Sequence, residues 1–479
     1  MFEARLLIDG KLRGAAHEAT FERVSPTTGE PATRAAGASI DDARAAVMSA
    51  QAAFPTWSRL SPTTRRDHLL AAARAVRERN QEFVTRLCAE TGGTPGWGHF
   101  NVHLAALMLE EAAAIATQVI GEVRQPSHPG TLSLAVRTPA GVVLGMAPWN
   151  APVILGVRAI ATPLACGNTV VLKASEMCPA THTLIGEVLR DAGIPSGVVN
   201  VVTHAAEDAA AVVETLIAEP AVRRVNFTGS TRVGRIIGAL AGRYLKPVVL
   251  ELGGKAPLVV LEDANLDDAV AAAVFGAFMH QGQICMSTER IIVDEKVADE
   301  FVARLRERTS ALRVGPEAPI GAVVDLETVH RVRALIDDAV TRGATLVCGG
   351  SGEGVYFKPT VVDHVTSAMR LYHEESFGPI VGVTRVAGDE AAVHAANDTE
   401  YGLVAAVFGR DLTRALSVAQ RIDTGMCHIN SATVQDDPQM PFGGTKASGL
   451  GRFGGSAGVH EFTELRWLSI ATEPRHYPI

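Results

Sequence analysis

The chain has 479 residues, too many for one ordinary domain and enough to build two or three around large buried cores. With 47% hydrophobic and 20% charged residues it is a globular composition, which excludes an intrinsically disordered polypeptide. A formal charge of -8 without a long basic block gives no electrostatic footing for nucleic acid or an anionic membrane surface, so small-molecule partners are expected.

Met1 to Gly10 carries Glu3, Arg5 and Asp9 and so lacks the uninterrupted apolar core of a secretory signal. From Ser39 to Ala113, Ala, Arg and Leu recur at helical spacing; Ser39 and Asp42 make a capping box at the start, and interruptions are expected near Pro55 and Pro62. Thr131 to Thr138 alternates apolar and polar residues, as a half-exposed strand does. Gly141 to Val157 is the most apolar window. Pro148, Asn150 and Pro152 break it and Arg158 closes it, so it predicts a buried strand and a turn rather than a bilayer span.

Beyond it, the β-branched runs Thr169 to Leu172, Val198 to Val202, Arg224 to Phe227 and Val248 to Leu250 alternate with amphipathic helical stretches. That rhythm predicts an α/β fold of βαβ units, with a parallel sheet covered by helices on both faces. A second series follows, with a strand at Arg290 to Val293, helices at Val297 to Thr309 and near Val329 to Thr341, and a strand at Ala344 to Cys348. Two α/β domains result, with Glu251 near their junction.

The six cysteines, Cys88, Cys166, Cys178, Cys285, Cys348 and Cys427, are scattered, with no CxxC pair and no His/Cys cluster at metal spacing. Reduced thiols, a cytoplasmic location and no metal are the expectation. Several turns carry residues suited to chemistry. Ala147-Pro148-Trp149-Asn150 holds an amide in a proline-fixed turn, able either to donate to an oxyanion or to satisfy its own backbone as an Asx turn. Lys173-Ala174-Ser175-Glu176 puts a lysine and an acid at a strand end, suited to ribose hydroxyls, or equally to a solvated salt bridge. Phe227-Thr228-Gly229-Ser230-Thr231-Arg232-Val233-Gly234 follows a strand and opens a helix, so it could approach a pyrophosphate or be a plain strand-to-helix turn.

Glu251-Leu252-Gly253-Gly254-Lys255 offers a carboxylate base and Gly282-Gln283-Ile284-Cys285 a thiol nucleophile, each in a glycine-marked turn, although Cys285 taken alone reads more readily as a buried inert thiol. Glu374 and Glu375 precede a Gly-Pro turn; adjacent residues point apart, so one acid reaching a ribose hydroxyl is a better reading than a glycosidase-type pair, with a solvated acid pair as the alternative. Pro441 to Gly449, dense in glycine and including Phe442, could close a loop over a site or only permit tight turns.

Together these motifs resemble the NAD(P)-dependent aldehyde dehydrogenase superfamily. The match covers nearly the whole chain in family order: Pro148 to Asn150, Lys173 to Glu176, Phe227 to Gly234, Glu251 to Lys255, Gly282 to Cys285, Glu375 to Pro379 and Pro441 to Gly449. Ala174 stands where many relatives carry proline. The resemblance implies a Rossmann-type cofactor domain at 1–117 and 139–250, an α/β catalytic domain at 251–447, and a strand segment at 118–138 that forms an oligomer contact with the tail 448–479. A homodimer or homotetramer is expected.

It further implies that Cys285 is the nucleophile, Asn150 the oxyanion donor and Glu251 the base that activates water. Cofactor contacts fall to Trp149, Lys173, Ser175, Glu176, Gly229, Ser230, Glu375 and Phe377. Glu176 would repel a 2′-phosphate, so NAD is expected ahead of NADP. Because coenzyme A-acylating branches typically lack the base, Glu251 implies water as acyl acceptor.

The runs Pro148 to Arg158, His280 to Arg290 and Gly451 to Gly455 are similar to the branch that acts on salicylaldehyde, benzaldehyde and vanillin. An aromatic aldehyde is therefore expected, held by Trp97, Ala151, Leu155, Arg158, Ile284, Phe377, Val434 and Phe442, with Trp97 equally readable as ordinary helix packing and Arg158 as a salt-bridge partner. Aliphatic and semialdehyde substrates, a coenzyme A-acylating enzyme and a catalytically silent relative are the alternatives.

Overall fold

The helical region from 40 to 115 starts at the expected cap, in a computed structural model that describes residues 1–479. Ser39 Oγ accepts from Asp42 N, and the Asp42 carboxylate accepts from Ser39 N at 3.1 Å, which satisfies two free donors at the start of the helix Ile40–Ser58. Pro55 does not interrupt this helix as expected. It sits exposed in the last turn, where the carbonyl it leaves unpaired can face solvent. Pro62 occupies the first turn of the next helix, Pro62–Glu78, capped by Ser61. The helices Asn80–Thr91 and Pro95–Ile115 complete this helical region.

Two large sheets follow. The first has eight strands in the order Gly449–Leu450, Val248–Glu251, Val222–Thr228, Val142–Met146, Thr169–Lys173, Val199–Val202, Leu6–Ile8 and Lys11–Arg13. Its five central strands are parallel, and their side chains are almost wholly buried because helices cover both faces. The second sheet has seven strands, in the order Thr345–Cys348, Thr360–Asp363, Ile380–Val386, Thr288–Asp294, Ala256–Val260, Val404–Phe408 and Met426–Ile429. All its pairings are parallel except the edge strand Thr345–Cys348. Glu251 ends a strand of the first sheet and Ala256 begins one of the second, so the turn between them joins the two sheets.

A three-stranded ribbon stands apart, with Thr131–Pro139 paired to Glu122–Arg124 and to Thr463–Ala471. Part of the tail does not belong to it. Gly449–Leu450 pairs antiparallel with Val248–Glu251, so this stretch caps the first sheet beside Glu251.

Candidate active site

Four of the motifs lie at the carboxyl ends of four adjacent parallel strands. Pro148 to Asn150 follow Val142–Met146, Lys173 to Glu176 follow Thr169–Lys173, Gly229 and Ser230 follow Val222–Thr228, and Glu251 ends Val248–Glu251. The connections leave this edge in both directions from Val142–Met146, which opens a crevice of the kind doubly wound sheets use for ligands.

The outer part of the crevice holds about 2180 Å³ of empty space and is lined by Trp149, Lys173, Ser175, Glu176, Gly229 and Ser230 among others. Lys173 Nζ lies 3.8 Å from Glu176, and Ser230 caps the helix Thr231–Arg243, whose N-terminus faces the cleft. The inner part, of about 1060 Å³, shares Pro148, Trp149, Thr228, Gly229 and Ser230 with it and reaches Glu375, Phe377, Asn150, Glu251 and Cys285. A cation and a carboxylate at one end, a helix N-terminus in the middle and a carboxylate at the other are a donor set that fits an extended dinucleotide.

The inner wall depends on a buried carboxylate to which the sequence reading gave no role. Glu289 accepts from Lys255 Nζ at 2.7 Å, from Ser376 N and Oγ, and from Phe377 N at 3.0 Å. These bonds hold Phe377 in the left-handed region, at φ 44°, an unfavourable conformation for a bulky residue. They also aim Glu375, whose Oε1 accepts from Gly254 N at 2.9 Å; burial pushes the Glu375 carboxyl up to about 7. The lysine of the Glu251–Lys255 motif is thus a buried ion-pair partner. Glu289→Ala, which leaves the Lys255 ammonium uncompensated, should destabilise the protein by about 3–5 kcal/mol. A lower denaturant midpoint is the measurement.

Cys285 stands partly exposed where the inner cleft meets a second, mainly apolar pocket of about 780 Å³. Asn150, Leu155 and Cys285 line both cavities. Asn150 is held by two bonds: its Nδ2 donates to Gln283 O at 2.9 Å, and its carbonyl accepts from Trp97 Nε1 at 2.9 Å. Gly254 is required by close approach, since a Cβ there would collide with the Cys285 carbonyl oxygen. Burial, with Glu251 and Glu375 nearby, pushes the Cys285 thiol up to about 12. Glu251 is 2% exposed, and neither of its oxygens accepts a protein hydrogen bond. Burial carries its carboxyl well above the ordinary range, opposed by Arg158 and Arg452.

Trp97, Ala151, Leu155, Arg158, Ile284, Val434 and Phe442 all line the apolar pocket. Phe377 does not. It lies on the cofactor side, edge-on to Trp149 with ring centroids 5.8 Å apart, because the Glu289 bonds turn its backbone that way. Arg158 takes part in two interactions at once: it lines the pocket over the Phe442 ring, 4.1 Å from its centroid, and it forms a partly buried ion pair with Asp436.

Phe100, Leu104, Phe275, Met279, Met286 and Asp436 are among the further residues of this wall that no motif marks. Helical spacing could have found some of them. Phe100 and Leu104 share a face with Trp97 on Pro95–Ile115, and Phe275 and Met279 stand one turn apart. Nothing local marks Asp436.

The aldehyde dehydrogenase family profile matches residues 13–468. The chain belongs to the aldehyde dehydrogenase family. It is 58% identical over 483 aligned residues to a vanillin dehydrogenase of Pseudomonas fluorescens, covering 100% of both chains. It is 37% identical over 461 residues to an NAD(+) benzaldehyde dehydrogenase of Pseudomonas putida, covering 95% of this chain and 94% of that one. A crystal structure of a salicylaldehyde dehydrogenase from Pseudomonas putida G7 complexed with salicylaldehyde superposes with a TM-score of 0.98, at 46% identity and 100% coverage of both chains. The α/β architecture is that of this family, whose members use NAD(P).

Proposed function

We propose that the protein oxidises an aromatic aldehyde to its carboxylic acid with NAD as hydride acceptor and water as acyl acceptor. The observation that carries this reading is the position of Cys285 between a polar cleft suited to a dinucleotide and an apolar pocket walled by aromatic rings. The names of the vanillin, benzaldehyde and salicylaldehyde relatives support the same substrate class.

In this reading the Cys285 thiol gives up its proton to water in the open cleft, and its sulfur bonds to the aldehyde carbon as the carbonyl π bond opens onto oxygen. The carbonyl oxygen becomes an oxyanion, held by the Asn150 amide and the Cys285 backbone N–H. The nicotinamide, when bound, supplies the two-electron hydride acceptor. Loss of hydride from that carbon leaves a thioester on Cys285. Glu251 takes a proton from water as the water oxygen bonds to the acyl carbon; the carbon–sulfur bond breaks and the acid leaves.

Lys173 and Glu176 bind the adenine ribose, Ser175, Gly229 and Ser230 line the path of the phosphates, and Glu375 takes the nicotinamide ribose, with Trp149 and Phe377 walling that end. Trp97, Ala151, Leu155, Arg158, Ile284, Val434 and Phe442 receive the aromatic ring. Glu176→Gln should narrow the preference for NAD over NADP by about tenfold, because a 2′-phosphate no longer meets a carboxylate. The ratio of kcat/KM for the two cofactors reads it.

The cofactor domain is assigned to residues 1–117 and 139–250 and the catalytic domain to 251–447. The ribbon exposes Val123, Leu465 and Trp467, the last 75% accessible, and this apolar edge supports assembly as a homodimer or a dimer of dimers. No helix is long and apolar enough to cross a membrane, and a cytoplasmic location fits the free thiols.

The test is NADH formation with benzaldehyde, salicylaldehyde, vanillin, long-chain aliphatic aldehydes and succinic semialdehyde, with and without coenzyme A, and repeated with NADP. Aromatic aldehydes should give the highest kcat/KM without coenzyme A. A preference for aliphatic aldehydes, or an absolute need for coenzyme A, overturns the proposal.

A further inference from the structure

Two arginines, Arg158 and Arg452, act on Glu251 through their charge, and neither bonds to it. Arg452 approaches closely, since a Cβ built on Gly443 would lie 2.5 Å from Glu251 Oε1 and 2.6 Å from Arg452 Cδ. Its guanidinium is committed elsewhere, with Nη1 donating to Gly444 O at 2.8 Å and to Gly451 O at 2.7 Å. Arg158 reaches the same region from the helix Pro152–Ala165, but it lies over the Phe442 ring and pairs with Asp436. Arg158 is buried and Asp436 partly buried, with side chains 7% and 9% exposed. The Asp436 loop is anchored by Thr433, whose Oγ1 lies 2.9 Å from Thr288 Oγ1 in the second sheet. Both cations are thus restrained, and the Glu251 carboxylate has no protein donor.

We propose that Asp436 is a positioning residue for the hydrolytic half of the reaction: it holds Arg158 on the Phe442 ring, keeps that cation off Glu251, and so leaves the carboxylate free to take a proton from water. An arginine released from Asp436 would find in Glu251 a buried, unpaired carboxylate, the partner a buried guanidinium most favours. A Glu251 carboxylate paired in this way would be a weaker base. The inference rests on the proposed role of Glu251 as base. The charged groups facing Glu251 are Arg158 from the helix, Arg452 from the turn after Gly449–Leu450 and Asp436 from its loop; Cys285, which Glu251 also faces, titrates as well.

The experiment uses Asp436→Asn, which keeps the side-chain shape and removes the charge, in rapid-mixing assays of NADH formation with benzaldehyde and NAD. The expected result is a burst of NADH close to one per active site followed by a steady state about tenfold slower. The ascending pH limb of that steady state should move to more acid pH by about one unit or more, because a cation now favours the charged form of Glu251. The burst amplitude counts folded, competent sites, so poor folding cannot imitate the effect. Asp436→Glu, which keeps the charge, should preserve the limb. The double variant Arg158→Gln with Asp436→Asn should return the limb toward its original position, since the competing cation is gone. An unmoved limb in Asp436→Asn, or a loss confined to KM, overturns the inference. Glu251→Gln serves as the parallel control. If it keeps full steady-state turnover, the role of Glu251 itself fails; if it stalls while Asp436→Asn does not, only the role of Asp436 fails.

Discussion

Cys285→Ala should reduce NADH formation with any aldehyde by roughly 10⁵ to 10⁶-fold, the scale of loss seen when a covalent nucleophile is removed. The reason lies in the chemistry at the junction of the two cavities. Hydride can leave the substrate carbon only after that carbon becomes tetrahedral, and among the groups lining both cavities only the thiol of Cys285 can form the covalent bond that makes it so. Asn150, also shared by both, is an amide with no nucleophilic power. Cofactor binding should be nearly unchanged, because the cleft groups Lys173, Glu176 and Glu375 are untouched. NAD titration of the variant by tryptophan fluorescence checks this, since Trp149 lines the cleft. Turnover above about one hundredth of the parent value would exclude the covalent route.

Glu251→Gln should separate the two halves of the reaction. The first turnover still produces NADH, so a burst close to one equivalent per site is expected, and steady-state turnover then falls by about 10² to 10⁴-fold, the usual worth of a general base. The pH dependence follows from burial. The Glu251 carboxyl is held well above the ordinary carboxylate range by desolvation, and its active form is the charged one. Hydrolysis should therefore rise with pH through that raised pKa and fall away as pH drops below it. In Glu251→Gln this limb should vanish while the pH dependence of the burst, governed by Cys285, remains. A variant with no burst would place Glu251 in the first half of the reaction instead, as the acceptor of the thiol proton.

Much of the site was legible because its motifs are local. The glycine-marked turns at 229, 254 and 282, the proline-fixed turn at Asn150 and the Ser39 cap each depend on residues a few positions apart, so a single segment contains its own explanation. Strand positions in the large sheets followed from short β-branched runs, the ribbon strand at Thr131 to Thr138 from its alternation, and the helices from helical patterning. Pro55 was misread because a proline near a helix end can be tolerated when its turn faces solvent, and exposure of one turn is a property of packing. Phe377 was left between the cofactor wall and the substrate wall for a similar reason. Its direction is set by Glu289, 88 positions earlier in the chain.

By itself, the sequence determined which chemistry is present: a thiol, a carboxylate and an amide in rigid turns, two α/β series, and a lysine–acid pair suited to a ribose. Only the tertiary structure decided how these groups constrain one another. It brought Arg158 to Asp436 across 278 positions and left Glu251 buried without a donor between two restrained cations. It also closed the edge of the first sheet with Gly449–Leu450. Local pattern specifies elements and their end turns, whereas the freedom or restraint of a buried charge depends on every segment packed around it, and those segments come from distant parts of the chain.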